Sequence, residues 1–219
     1  MSKQPRSRSA TSRDRQAAER REQLLAAAKS LFAEKGYHAT STRMISQKIG
    51  MADGLLYHYF PDGKMEMLQT IIRDGHEQRV SRIDESWFLV QDDPNVPLKQ
   101  CLLDFLLTIY RILLSDKELL RIQFREQELL DGVVLNYLTE SVSQRRTQMA
   151  KLLERRAALG QIREIDYEAA AVQIMSINML IVFKTVSGID LTDGDTESFR
   201  ERLIDNLLDG WKRADSAPD

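Results

Sequence analysis

The stretch TSTRMISQKIGMADGLLYHYFPDGKMEML, Thr40 to Leu68, constrains the fold more than any other part of the chain. It reads as two short helices joined by a tight glycine turn, then a third helix entered through a Pro-Asp-Gly loop. Ser41 is placed to cap the first helix, where a hydroxyl accepts from the unpaired amides of the first turn. Ile45 and Ile49 lie four apart and share one helix face. Gly50 falls where the chain must reverse, in a backbone region that only a residue without Cβ enters cheaply. Leu56, Tyr59 and Phe60 supply the buried side of the second helix. Its other side, Asp53, Gly54, Leu55, Tyr57 and His58, is too short and mixed to be core. This is the layout of a helix-turn-helix whose second helix enters a DNA groove.

The surrounding pattern is helical throughout. From Gln16 to Lys35, Leu24, Leu25, Ala28, Leu31 and Phe32 form an amphipathic stripe that Gly36 terminates. The helix starting near Lys64 carries Met67, Leu68, Ile71 and Ile72 on one face and runs past Val80. Gly75 inside it costs roughly 1 kcal/mol relative to Ala and reads as a close packing contact rather than a hinge. The segment 91–97, with two prolines and an Asx cluster, is a loop. Further helices are expected over 98–114, from a Ser115-x-x-Glu118 capping box to Leu130, over 134–159, over 167–187 with Asp166 as N-cap and Gly188 as stop, and over 197–213. No period-two strand pattern interrupts them. The expected fold is therefore all-α: a disordered basic arm over 1–15, a three-helix DNA-binding domain over 16–68, a helical effector-binding and dimerisation domain over 69–213, and a tail over 214–219.

Charge separates these parts. Residues 1–64 hold 12 Lys and Arg against 6 Asp and Glu, a net of +6, and the remainder holds 19 against 27, a net of −8. A basic end beside an acidic remainder points to a polyanion partner for that end alone. Lys3, Arg6, Arg8, Arg13 and Arg15 suit the arm either to phosphates or a minor groove, or to the plain role of a solubilising tail. The single cysteine, Cys101, lies in an apolar run, reads as core, and fits a reducing cytoplasm. No unbroken apolar run is longer than that of Met179 to Phe183, which is too short to span a bilayer, and the N-terminus has no apolar signal segment.

The run Ile45, Gly50, Gly54, Leu56, Tyr57, Tyr59, Phe60, preceded by LLAAAKSLFAEKGYHATS, closely resembles the N-terminal domain of the tetracycline-repressor (TetR) family of bacterial transcriptional regulators. The resemblance covers about Arg20 to Leu68. It implies DNA contacts from Thr40, Ser41, Thr42 and Arg43 at the start of the first short helix, where free amides suit a phosphate. It implies contacts from Asp53, Gly54, Leu55, Tyr57 and His58 on the second helix, and from Lys64. Two departures stand out. Ala52 replaces the usual Ser after the turn, which leaves Asp53 either to take the N-cap role or to face the groove and accept from a cytosine N4 amine, and PDGK lengthens the following loop. With Leu55 limited to apolar contact such as a thymine methyl, hydrogen-bonding base readers are few, and part of any specificity falls to DNA shape or the arm.

The helix over 167–187 is apolar on nearly every face, so it must be covered all round. Paired with the stripe of the last helix, it suggests a two-fold four-helix dimer interface through Ile174, Ile177, Ile181, Leu203, Leu207 and Trp211. The resemblance implies the same homodimer, and a small-molecule effector pocket, with Trp87, Phe88, Phe105, Tyr110, Phe124, Tyr137 and Met149 as candidate walls. The three histidines lack metal-ligand spacing, and no phosphate loop or nucleophile elbow is present, so neither enzyme chemistry, a metal nor a cofactor is expected. The expected function is a ligand-responsive homodimeric repressor on a palindromic operator. The alternative is an all-α nucleoid-associated or adaptor protein that binds DNA without effector control.

Overall fold

A computed structural model describes residues 12–89, 93–130, 132–190, 192 and 194–212, with the side chains of 87–89 and 133 excluded. The expectations for the arm before Ser12, for the side chains of Trp87 and Phe88, for Asp131 as part of a helix break and for the tail lie outside these residues, whereas the last helix, expected to reach 213, ends at Gly210 with Trp211 as its C-cap.

Among the described residues the chain is helical without a strand. The order is α1 (Ser12–Lys35), α2 (Thr42–Lys48), a 3-10 turn Asp53–Leu55 running into α3 (Leu56–Tyr59), α4 (Lys64–Leu89), α5 (Leu98–Leu114), α6 (Lys117–Arg125), a 3-10 turn Gln127–Leu129, α7 (Gly132–Ala158), α8 (Tyr167–Ser187) and α9 (Thr196–Gly210). The bounds expected for α5 and α8 are met. Asp166 caps α8 by accepting from Ala169 N at 3.0 Å, and Gly188 closes it at φ +76°.

Three local expectations are corrected. The helix α1 begins at Ser12, so 12–15 belong to a helix rather than a disordered arm. Asp116, not Ser115, caps α6 by accepting from Leu119 N at 3.0 Å, while Ser115 donates back to Ile112 O. Shortly after Arg125 the chain tightens into the 3-10 turn, so α6 stops short of Leu130.

Two apolar clusters organise the helices. One joins α1–α4 with Leu119 and Ile122 of α6 and with Leu130 and Val134, and Phe32, Ile45, Leu56 and Phe60 are fully buried in it. The other packs α5, α7, α8 and α9 around Leu102, Leu106, Leu153, Ile174 and Ile204, with Cys101 inside. The helix-turn-helix core therefore crosses the expected boundary at 68 and takes two side chains from α6. Gly75 explains how closely α6 approaches α4: a Cβ there would stand 2.6 Å from Leu119 Cδ2, so the packing reading holds.

Arg156, on the last turns of α7, is fully buried. It donates to the carbonyls of Asp93 (3.0 Å) and Val96 (2.9 Å) and to Gln161 Oε1 (3.0 Å), tying the α4–α5 loop to the α7–α8 turn.

Candidate nucleic-acid interface

The helix-turn-helix is assembled from the inside. Ile45 from α2 and Leu56 and Phe60 from the second helix point into the first cluster, with Tyr59 half-buried at its edge. Gly50, at φ +66°, turns the chain between them. Lys48 Nζ donates to Ser30 Oγ at 2.7 Å, and the Arg21 guanidinium lies 4.8 Å from the Phe60 ring centroid, so α1 clasps the motif from behind.

The opposite side is open. Leu55 and Tyr57 are about half exposed, at 54% and 51%, and Asp53, Gly54 and His58 are exposed with them. Arg43, on α2, joins this surface and meets Asp53 Oδ2 at 3.5 Å. Tyr57 OH lies 3.5 Å from Thr42 Oγ1, at the rim of an open cleft of about 450 Å³ lined by Tyr37 to Thr42, Tyr57 and Asp62 to Met65. Gly63 makes room for the Tyr57 ring: its φ is +65°, and a Cβ would sit 3.3 Å from Tyr57 Cε1.

Ser41 caps α2 as expected, its hydroxyl accepting from Met44 N at 3.2 Å. Three other expected site residues have different roles. Thr40 is buried, and its hydroxyl donates to Gly36 O at 2.8 Å, so its side chain locks the end of α1 and does not face solvent. Lys64 Nζ donates to the carbonyls of Tyr37 (2.9 Å) and Thr40 (3.0 Å) and stands 4.1 Å from the Tyr37 ring centroid. It closes the α1–α2 loop, which occupies most of its hydrogen-bonding capacity. Asp53 does not cap its helix. Ala52 holds that position with no side-chain bond, and the first turn tightens to 3-10 geometry instead, leaving the Asp53 carboxylate to pair with Arg43.

The motif is coupled to the rest of the chain through α6. Buried Glu126 accepts from Tyr37 N at 2.9 Å, and Lys29 of α1 pairs with Asp116. Burial and the Glu126 carboxylate raise the Tyr37 phenol above its ordinary range. No sequence pattern marked Glu126, because an acid at the end of a helix is ordinarily solvated.

The expected effector walls do not gather around one cavity. Phe105 and Met149 are packed in the second cluster, Tyr137 lies against His76, and Tyr110 sits under the Arg200 guanidinium at 5.1 Å. Phe124 borders a hollow of about 260 Å³ shared with Arg121, Arg125 and Val186. The expected interface set divides. Ile174, Ile177, Ile181 and Trp211 face inward, and Leu203 and Leu207 are half-buried against the second cluster. The open face of α8 is instead Val172, Met179 and Phe183. By length and apolarity alone α8 is sufficient to cross a membrane. Here one side of it is core, including Asn178, whose Nδ2 donates to Leu106 O at 2.8 Å. No group of His, Cys, Asp and Glu suited to a metal occurs among the described residues.

Residues 24–71 match the family model described as bacterial regulatory proteins, tetR family. The regulator HbdR of Aromatoleum sp. (strain CIB) is 36% identical over 66 residues, 29% of each chain. The repressor KstR2 of Mycolicibacterium smegmatis is 41% identical over 59 residues, 27% of this chain and 28% of that one. The matched segment thus spans under a third of the length of either relative. The likeness in fold extends further. A regulatory protein in the tetR family from Rhodococcus RHA1 superposes with a TM-score of 0.66 at 22% identity, covering 89% of this chain and 98% of that one. AibR, solved in complex with isovaleryl coenzyme A and operator DNA, superposes with a TM-score of 0.60 at 18% identity, covering 88% and 97%.

Proposed function

The chain belongs, through residues 24–71, to the TetR family of bacterial regulatory proteins, and from that premise we propose that it is a cytoplasmic, homodimeric transcriptional repressor released from a palindromic operator by a small-molecule effector. The observation that carries the reading is the helix-turn-helix presenting Arg43, Leu55, Tyr57 and His58 outward over a core that holds it rigid. Thr42 and Tyr57 offer hydroxyls to a phosphate at the cleft, with the Ser41 cap beside them. Arg43 is the one strong donor to a base edge, and its pairing with Asp53 pre-orients it. Leu55 supplies apolar contact.

Two such heads, one helical turn of DNA apart at roughly 34–36 Å, require a dimer. The open face of α8 serves it: Val172, Met179 and Phe183 form an apolar stripe on one side of a helix whose other side is core. Effector control travels through α6. Any shift of α6 acts on Tyr37 through Glu126, on α1 through Lys29–Asp116, and on the head's own core through Leu119 and Ile122.

The test is selection of genomic fragments by the purified protein, followed by footprinting. The expected result is a discrete two-half-site footprint whose affinity falls steeply with salt. Binding without sequence preference in competition would instead select the nucleoid-associated alternative.

A further inference from the structure

Between α4, α6 and α7 lies a layer of cationic side chains with fewer partners than their burial demands. His76 and Arg79 stand one turn apart on α4 and Arg145 reaches in from α7, each more than nine-tenths buried. Arg79 Nη1 donates to Gln123 Oε1 of α6 at 2.9 Å. Arg145 Nη1 donates to Gln148 Oε1 at 3.1 Å, and its Nη2 faces the half-exposed Asp84 carboxylate at 2.7 Å. The His76 ring meets Tyr137 of α7 edge-on, centroids 5.0 Å apart. His76 Nε2, Arg79 Nη2 and Arg145 Nε, all buried, meet no hydrogen-bonding partner. Folded proteins rarely leave such groups unpaired away from water.

The charges do not balance either. Asp84 answers Arg145. The other carboxylate acting on Arg79, Asp116, is engaged by Lys29 and by the Leu119 amide. Burial, then Arg79, then Arg145, hold the His76 imidazole down at about 4, so it is neutral while two guanidinium groups crowd it. A site of this composition is short of one species: an acceptor-rich anion.

We propose that this layer seats the oxyanion, carboxylate or phosphate, of a small molecule, whose oxygens accept from Arg79, Arg145 and His76. The site itself stands on the geometry above, and its regulatory meaning rests on the repressor reading. Arg79 is also what ties α4 to α6 through Gln123. An anion that draws the Arg79 guanidinium toward itself loads α6, and α6 holds the DNA-binding head through Glu126 and Asp116.

Thermal unfolding of the full chain, in chloride buffer and then with inorganic phosphate, octanoate or uncharged octanol, tests this. Removing a buried charge whose Nη2 lacks an acceptor relieves the free protein by more than the lost Gln123 bond costs it, so Arg79→Met raises its Tm by about 5 °C. Phosphate or octanoate raises the Tm of the wild type and of Arg79→Lys but not of Arg79→Met, octanol leaves all three alone, and the anion that acts identifies the head group. In the wild type the bound anion also raises the His76 pKa, followed by imidazole NMR. A lowered Tm for Arg79→Met, or anion responses equal in wild type and Arg79→Met, overturns the site. Operator binding by the wild type is measured separately: its loss sinks the repressor reading and leaves the anion titration standing.

Discussion

The helix-turn-helix and the α4–α6–α7 layer treat their polar groups in opposite ways. In the head, Thr40, Ser41, Lys48 and Lys64 find partners inside the chain, Ser46 Oγ being the exception, and the core side chains Phe32, Ile45, Leu56 and Phe60 are fully buried. In the layer, three cationic or imidazole groups, each more than nine-tenths buried, leave nitrogens unpaired. The head is finished before DNA arrives, so binding costs it little ordering. On the proposed reading, the layer is finished only when an anion enters it. A regulator needs this contrast, because a reader must be rigid and a sensor must have something to gain from its ligand.

The largest expected effect tests whether the head is one packed unit. Phe60→Ala removes a fully buried ring and should cost about 3–5 kcal/mol in urea unfolding. A loss below about 1 kcal/mol would mean that the head is loosely packed and the contrast with the layer is false.

Next comes pH, which probes the layer. The folded pKa of His76, about 4, lies below the unfolded value near 6.5, so the unfolded chain takes up the proton first. Stability is therefore full above pH 6.5 and falls as pH drops toward 4, by on the order of 3 kcal/mol for a shift of this size. His76→Gln should flatten that part of the curve. An unchanged slope would show that the layer is wetter than its burial suggests.

The smallest effect separates structural from contacting hydroxyls within the head. Tyr57→Phe should leave stability within about 0.5 kcal/mol and weaken operator binding roughly tenfold, as expected for one lost hydrogen bond to a charged phosphate. Thr40→Val should do the reverse, costing about 1–2 kcal/mol of stability through the unpaired Gly36 carbonyl. If both changes acted alike, the division between inward and outward hydroxyls would fail.

These cases show what was legible in the sequence. Helix ends governed by local chemistry were readable: Ser41, Asp166 and Gly188 act where their side chains, or the lack of one, dictate. What depended on neighbours distant in sequence was not. A helix apolar on every face, like α8, carries no mark of which side the chain itself will cover, and the chosen isoleucines lay on the covered one. Asp53 had a plausible local role until Arg43, ten residues earlier, was placed beside it. Arg79, Arg145 and Arg156 escaped notice because an arginine in a helix ordinarily extends into solvent.

The two α6 side chains in the head's core have a consequence for synthesis. A ribosome releases the chain from its N-terminus, and domains generally fold as units while they emerge. The core of the reading head is incomplete when Leu68 appears, because Leu119 and Ile122, and then Leu130 and Val134, have yet to arrive. Until then the nascent chain exposes the apolar surface that those four side chains cover, and the proposed DNA reader waits for α6 and the start of α7.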